Sequence, residues 1–168
     1  MKKAAVVLAA LALFLLIIAL APLIPATASS NQFVVRSQSC GFFTLLPSGN
    51  VVADAQGKVS FVLRKTNVKN LYFITRAVYT VKAQSSFGNK SNVSIDSTNT
   101  GSRNGPWRTI WQSGDDVPRS TTQSVPISRY IAGGSRLSAQ FTFDKSRGGD
   151  PQCRATPKRL PVNYFGQR

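Results

Sequence analysis

Arg103, Arg108, Arg119, Arg129 and Arg136 gather in sequence around Trp107 and Trp111. Residues of these types recognise anions and rings. The arginine fork matches carboxylate, sulfate or phosphate, and an indole face stacks on a sugar or a base. Cations interleaved with aromatics also suit single-stranded nucleic acid. Alternation over residues 107–112 places Trp107, Thr109 and Trp111 on one strand face, with Arg108, Ile110 and Gln112 on the other. Large aromatics are highly buried on average, so the indole face is expected to be core. If Ile110 turns inward instead, both indoles lie outside and form a binding platform.

The other chemistry open to the chain is narrow. It has no histidine, which removes the usual general base, the Ser-His-Asp triad and the commonest metal ligand. Every one of its 6 acids is an aspartate. Asp115 and Asp116 are adjacent and would face opposite ways on a strand. No spacing supports a glycosidase pair between either of them and Asp144 or Asp150. No D-x-[DN]-x-[DN]-G calcium loop occurs, and an aspartate in a loop more often shapes a turn. The chain is therefore expected not to be an enzyme and to carry no cofactor and no metal. Asn89-Lys90-Ser91 and Asn92-Val93-Ser94 match the N-glycosylation pattern, which has meaning only for a eukaryotic source.

The first residues set the compartment. Lys2 and Lys3 precede an uncharged apolar run over residues 4–24, and Ala26-Thr27-Ala28 follows. A basic n-region, an apolar h-region and an A-x-A site make a secretory signal over residues 1–28. The run is also long enough, at about 20 residues, to span a bilayer as an uncleaved anchor. Either way the rest of the chain is expected outside the cytoplasm. Cys40 and Cys153 are the only cysteines, so export implies one disulfide between them. Closing so long a loop is worth on the order of 5 kcal/mol in the chain-entropy model. A nucleophilic cysteine would usually need an activating histidine, and the chain has none.

Residues 29–168 are the size of one domain. Their short alternating runs, joined by turn residues, describe an all-β fold. Residues 32–38 alternate, with Phe33 and Val35 on one side. Residues 42–46 and 51–53 make short apolar runs, with a turn at 54–57. Residues 58–64 place Val59, Phe61 and Leu63 together. Residues 70–83 form the longest segment, with Leu71, Phe73, Thr75, Ala77, Tyr79 and Val81 on one face and a break, such as a bulge, near Arg76. Residues 84–106 read as loops around one short strand at Val93 and Ile95. Residues 121–127 form an edge strand or end a strand at Pro126, which cannot donate to a ladder, and residues 128–132 form a single helical turn. Residues 136–144 point Leu137, Ala139, Phe141 and Phe143 inward. From about residue 145 a basic tail follows, in which Val162, Tyr164 and Phe165 could add a last edge strand.

The pattern implies a single β-sandwich of about seven to nine strands, either jelly-roll or immunoglobulin-like, after the N-terminal signal or anchor helix. The chain carries a net charge of +15, and so strong a field favours polyanion partners. The expected function is an exported, non-enzymatic protein that binds an acidic polysaccharide or other anionic surface polymer through Arg103, Trp107, Arg108, Trp111, Arg119, Arg129 and Arg136. Export argues against nucleic acid as the partner. A structural subunit of an envelope, matrix or particle is the alternative, and a membrane-active protein the third. Membrane association through residues 4–24 follows if the leader is retained.

Overall fold

A computed structural model describes residues 32–36, 39–98, 105–145, 148–155 and 159–162. The leader at 1–28, Arg103, Tyr164 and Phe165 lie outside the described residues. Those described fall in one unit, Asn31–Arg168. Its strands are β1 (Gln32–Arg36), β2 (Cys40–Leu45), β3 (Val51–Lys65), β4 (Leu71–Ala83), β5 (Asn92–Ser97), β6 (Arg108–Gln112), β7 (Ser120–Ala132), β8 (Leu137–Thr142) and β9 (Gln152–Ala155). Among the described residues no helix is long and apolar enough to cross a membrane.

The strands form two antiparallel sheets. The large sheet runs β1-β3-β4-β7, with β2 pairing the first half of β3 and β1 the second half. The small sheet runs β6-β5-β8-β9. One core fills the space between them. Phe61, Leu63, Tyr72, Ile74 and Tyr79 from the large sheet meet Ile95, Leu137, Ala139 and Phe141 from the small one, with Phe143 just beyond β8. Burying each such side chain stabilises by about 1.5–3 kcal/mol. Cys40 and Cys153 form a disulfide that ties β2 to β9 across 113 positions. The bond is consistent with an oxidising, extracytoplasmic location.

Two local expectations are corrected. Residues 54–57 make no turn, because β3 is continuous from Val51 to Lys65. Gly57 pairs with Cys40 on one side and Val81 on the other, and a Cβ there would meet the ring of Phe141 at 2.3 Å. Its glycine marks the close approach of the two sheets, not a reversal of the chain. Residues 128–132 make no helical turn either. They continue β7, and Ile131 pairs with Tyr72. The short strand expected at Val93 and Ile95 is present. It is β5, in the middle of the small sheet, so its Asp96 and Ser97 are buried although polar.

The break near Arg76 is present without splitting the strand. Against β3, Ile74 pairs with Leu63 and Arg76 with Val62, so Thr75 is an extra residue. The bulge switches the inward set from Tyr72 and Ile74 to Ala77, Tyr79 and Val81, all buried. Phe73 therefore faces outward, contrary to uninterrupted alternation.

Candidate anion-binding end

The strands have two ends, and net charge is uneven between them: Lys82, Lys90, Arg119 and Lys145 share one end with five of the six acids. At the end where β3 begins and β4 and β8 finish lie Asp54, Asp115, Asp116, Asp144 and Asp150. Several of these acids shape the chain: Asp54 accepts the Thr44 hydroxyl at 2.5 Å, Asp144 Oδ2 accepts the Lys90 N–H at 3.2 Å, and Asp150 Oδ1 accepts the Lys145 N–H at 2.9 Å. At the other end β3 and β9 finish and β4, β6 and β8 begin. There lie Arg64, Lys65, Lys69, Arg108, Arg129, Arg136, Arg154 and Arg159, with Asp96 as the lone acid. Contacts across the sheets hold this end together: Tyr72 Oη donates to the Pro161 carbonyl at 3.0 Å, and Arg159 Nε to that of Gly134 at 2.6 Å.

Trp107 sits at the cationic end, just before β6 and half-buried. The guanidinium carbons of Arg136 and Arg154 lie 5.0 and 5.1 Å from its ring, each a cation–π contact of about 0.5–2 kcal/mol. Arg154 is neutralised. Its Nη1 donates to Asp96 Oδ2 and its Nη2 to Gln140 Oε1, each at 2.6 Å. The Thr109 hydroxyl donates to the other carboxylate oxygen of Asp96 at 2.8 Å. Arg136 has no such acid, and its Nε is buried without a hydrogen-bond partner among the described residues.

Trp111 is elsewhere. β6 pairs Trp111 with Ile95 and Thr109 with Asp96, so Ile110 is the extra residue of a bulge. Trp111 then packs inward, its ring 5.8 Å from that of Tyr79, while Trp107 stays on the outer side with Thr109. The two indoles do not share a face. Ile110 also packs against the core, yet only one indole is displaced outward. Arg119 belongs to the acid-bearing end, where its Nη1 donates to the carbonyls of Ser85 and Phe87 at 3.3 and 3.1 Å and braces that loop. Arg108 and Arg129 are exposed at the cationic end.

The outer face of the large sheet adds residues that sequence reasoning missed. Arg64, Phe73 and Tyr130 pair in one row across β3, β4 and β7. The Arg64 guanidinium lies 4.7 Å over Phe73, whose ring meets Tyr130 edge-on at 4.9 Å. The bulge at Thr75 was the available signal: moving the face switch there turns Phe73 outward. Among the described residues no group of acids and cysteines could hold a metal. The chain matches no family model, no curated protein and no solved structure.

Proposed function

We propose that the protein is an exported, non-enzymatic binder of an acidic polysaccharide and that the cationic end is its binding surface. The observation that carries this reading is the imbalance of net charge along the strands. Evenly dispersed charge would give a basic surface and no address; here Lys82, Lys90, Arg119 and Lys145 lie among five aspartates, whereas eight described cations share the other end with a single acid that is already engaged. Arg136, stacked on Trp107 without a neutralising acid, offers an anion a fixed and partly desolvated partner. The apolar leader and the disulfide favour delivery to an oxidising exterior. Strand order favours the immunoglobulin-like sandwich over the jelly roll. β4 lies beside β7 and β5 beside β8, as B lies beside E and C beside F, whereas successive strands of a jelly roll cross between sheets.

The test is retention on heparin resin. Replacing Arg108 and Arg129 together by Ala is expected to weaken binding roughly tenfold, as loss of two exposed ionic contacts allows. Replacing Lys82 and Lys90 by Ala removes the same charge from the other end and is expected to leave retention near that of the unaltered protein. Equal shifts in the two variants would reduce the interaction to net charge and remove the proposed address.

One observation favours the structural-subunit reading. The hairpin of β2 and β3 exposes Phe43 (56%), Leu45 (69%), Leu46 (39%) and Val51 (64%), and residues 41–53 carry no charge. An uncharged apolar tip of this kind marks a protein contact. A large assembly on size-exclusion chromatography, dispersed by Leu45→Asp, would establish it.

A further inference from the structure

Two neighbouring strands lose register at the same level of the large sheet. Thr75 is extra on β4, and opposite it on β7 stand both Ile127 and Ser128. Ser128 has a φ of 50°, the left-handed region that few non-glycine residues enter. The Thr75 hydroxyl donates to the Val62 carbonyl at 2.9 Å and spans the gap in the ladder. Bulges bend strands and re-aim their side chains, often beside functional sites. Here they hollow the outer face into an open depression of about 410 Å³, lined by Gln32, Val62, Thr75, Arg76, Ser124 and Pro126. That volume is at the small end of ligand sites.

We propose that this depression seats one acidic sugar unit of a polysaccharide, with the adjoining sugar ring on Tyr130. The proposal rests on the polysaccharide reading above and extends its surface from the cationic end onto the adjoining outer face of the large sheet. Arg76 supplies a planar fork for a carboxylate or sulfate, and no described residue pairs with it. Val62 and Pro126 provide an apolar floor for the C–H face of a ring, and Gln32 and Ser124 provide hydrogen-bonding groups for hydroxyls. One row further along the strands, roughly 7 Å away by strand geometry, stand Arg64, Phe73 and Tyr130. Tyr130 is 59% exposed although it is a large aromatic, and its edge-on contact with Phe73 fixes the ring. Arg76 in one row and an aromatic ring beside a second cation, Arg64, in the next thus spread over two levels of the sheet, matching a chain of charged rings more closely than a compact anion.

The experiment uses isothermal titration of the full domain with an oligogalacturonate, a heparin-derived oligosaccharide and neutral cellohexaose. Two variants leave net charge unchanged, Arg76→Lys and Tyr130→Ala. Both sites are exposed, and a thermal melt checks that the fold persists. The expected result is binding of an acidic probe but not of cellohexaose, with at least fivefold weaker binding in each variant. Loss with the oligogalacturonate assigns a carboxylate to Arg76, and loss with the heparin fragment assigns a sulfate. If both variants bind an acidic probe as the unaltered domain does, the subsite is wrong and the broader polysaccharide reading survives. If the unaltered domain binds neither acidic probe, the broader reading fails and the subsite fails with it.

Discussion

Arg154 on β9 reaches across β8 to place its Nη1 2.6 Å from Asp96 Oδ2 on β5. Ser138 lies beneath this crossing, fully buried, with its hydroxyl donating to the Ala155 carbonyl at 2.8 Å. A larger residue at 138 would block the path. The Asp96 side chain is 4% exposed and that of Arg154 32%, so the two partners do not respond alike to loss of the other. Asp96→Asn is expected to cost about 2 kcal/mol, below the range for a fully buried pair, because water still reaches Arg154. Arg154→Met is expected to cost more, about 3 kcal/mol, because it strands a buried carboxylate. Urea midpoints of the two variants check the order.

Joining β2 to β9 links the two sheets at one edge. Replacing Cys40 and Cys153 together by Ser is expected to remove about 3–5 kcal/mol, most of it by freeing the unfolded chain. Denaturation with and without reductant should then give the same midpoint in the variant and different midpoints in the unaltered protein.

Gly57→Ala sets a methyl group against Phe141, with ring atoms at 2.3 and 2.4 Å from the new Cβ. The expected penalty is about 2 kcal/mol, typical of overpacking. Combining it with Phe141→Leu should recover part of that loss. A thermodynamic cycle of the four proteins measures the coupling.

Tyr79 is buried and donates its hydroxyl to Gln123 Oε1 at 2.6 Å. Burial raises its pKa above the usual 10.0, and the negative charge of Asp116 raises it further. The neutral phenol is therefore the form that the fold favours. Its contribution is complete below the unfolded pKa and is lost as pH rises through the higher folded value. Stability should fall above about pH 10. Tyr79→Phe should fall less steeply there, after losing about 1 kcal/mol at neutral pH with its hydrogen bond. Urea melts from pH 8 to 11 on both proteins supply the comparison.

Alternation carried much of the fold. Phe33 and Val35, Val59, Phe61 and Leu63, and Leu137, Ala139 and Phe141 all face inward as their spacing requires. The disulfide followed from there being two cysteines. Glycine misled at residue 57, because a residue that permits a turn also permits close packing, and only the facing Phe141 distinguishes the two uses. Period-2 reasoning failed wherever one residue was extra. A bulge at Ile110 separated Trp107 from Trp111, and one at Thr75 reversed Phe73. The candidate site was half legible for a related reason. Arg108, Arg129 and Arg136 lie at the same end as Trp107, but Arg64 and Arg154 arrive from distant strands, and no linear window brings them together.

Five aspartates nearly balanced by Lys82, Lys90, Arg119 and Lys145 at one extremity, against eight described cations and Asp96 at the other, give the domain an uneven charge along its strands. Near a negatively charged surface such a body rotates before it touches, and the positive extremity leads. The uncharged β2–β3 tip then trails, pointing away from whatever has been met. At physiological ionic strength this alignment acts only within a Debye length of about 8 Å, so it governs the last step of approach and fades in brine.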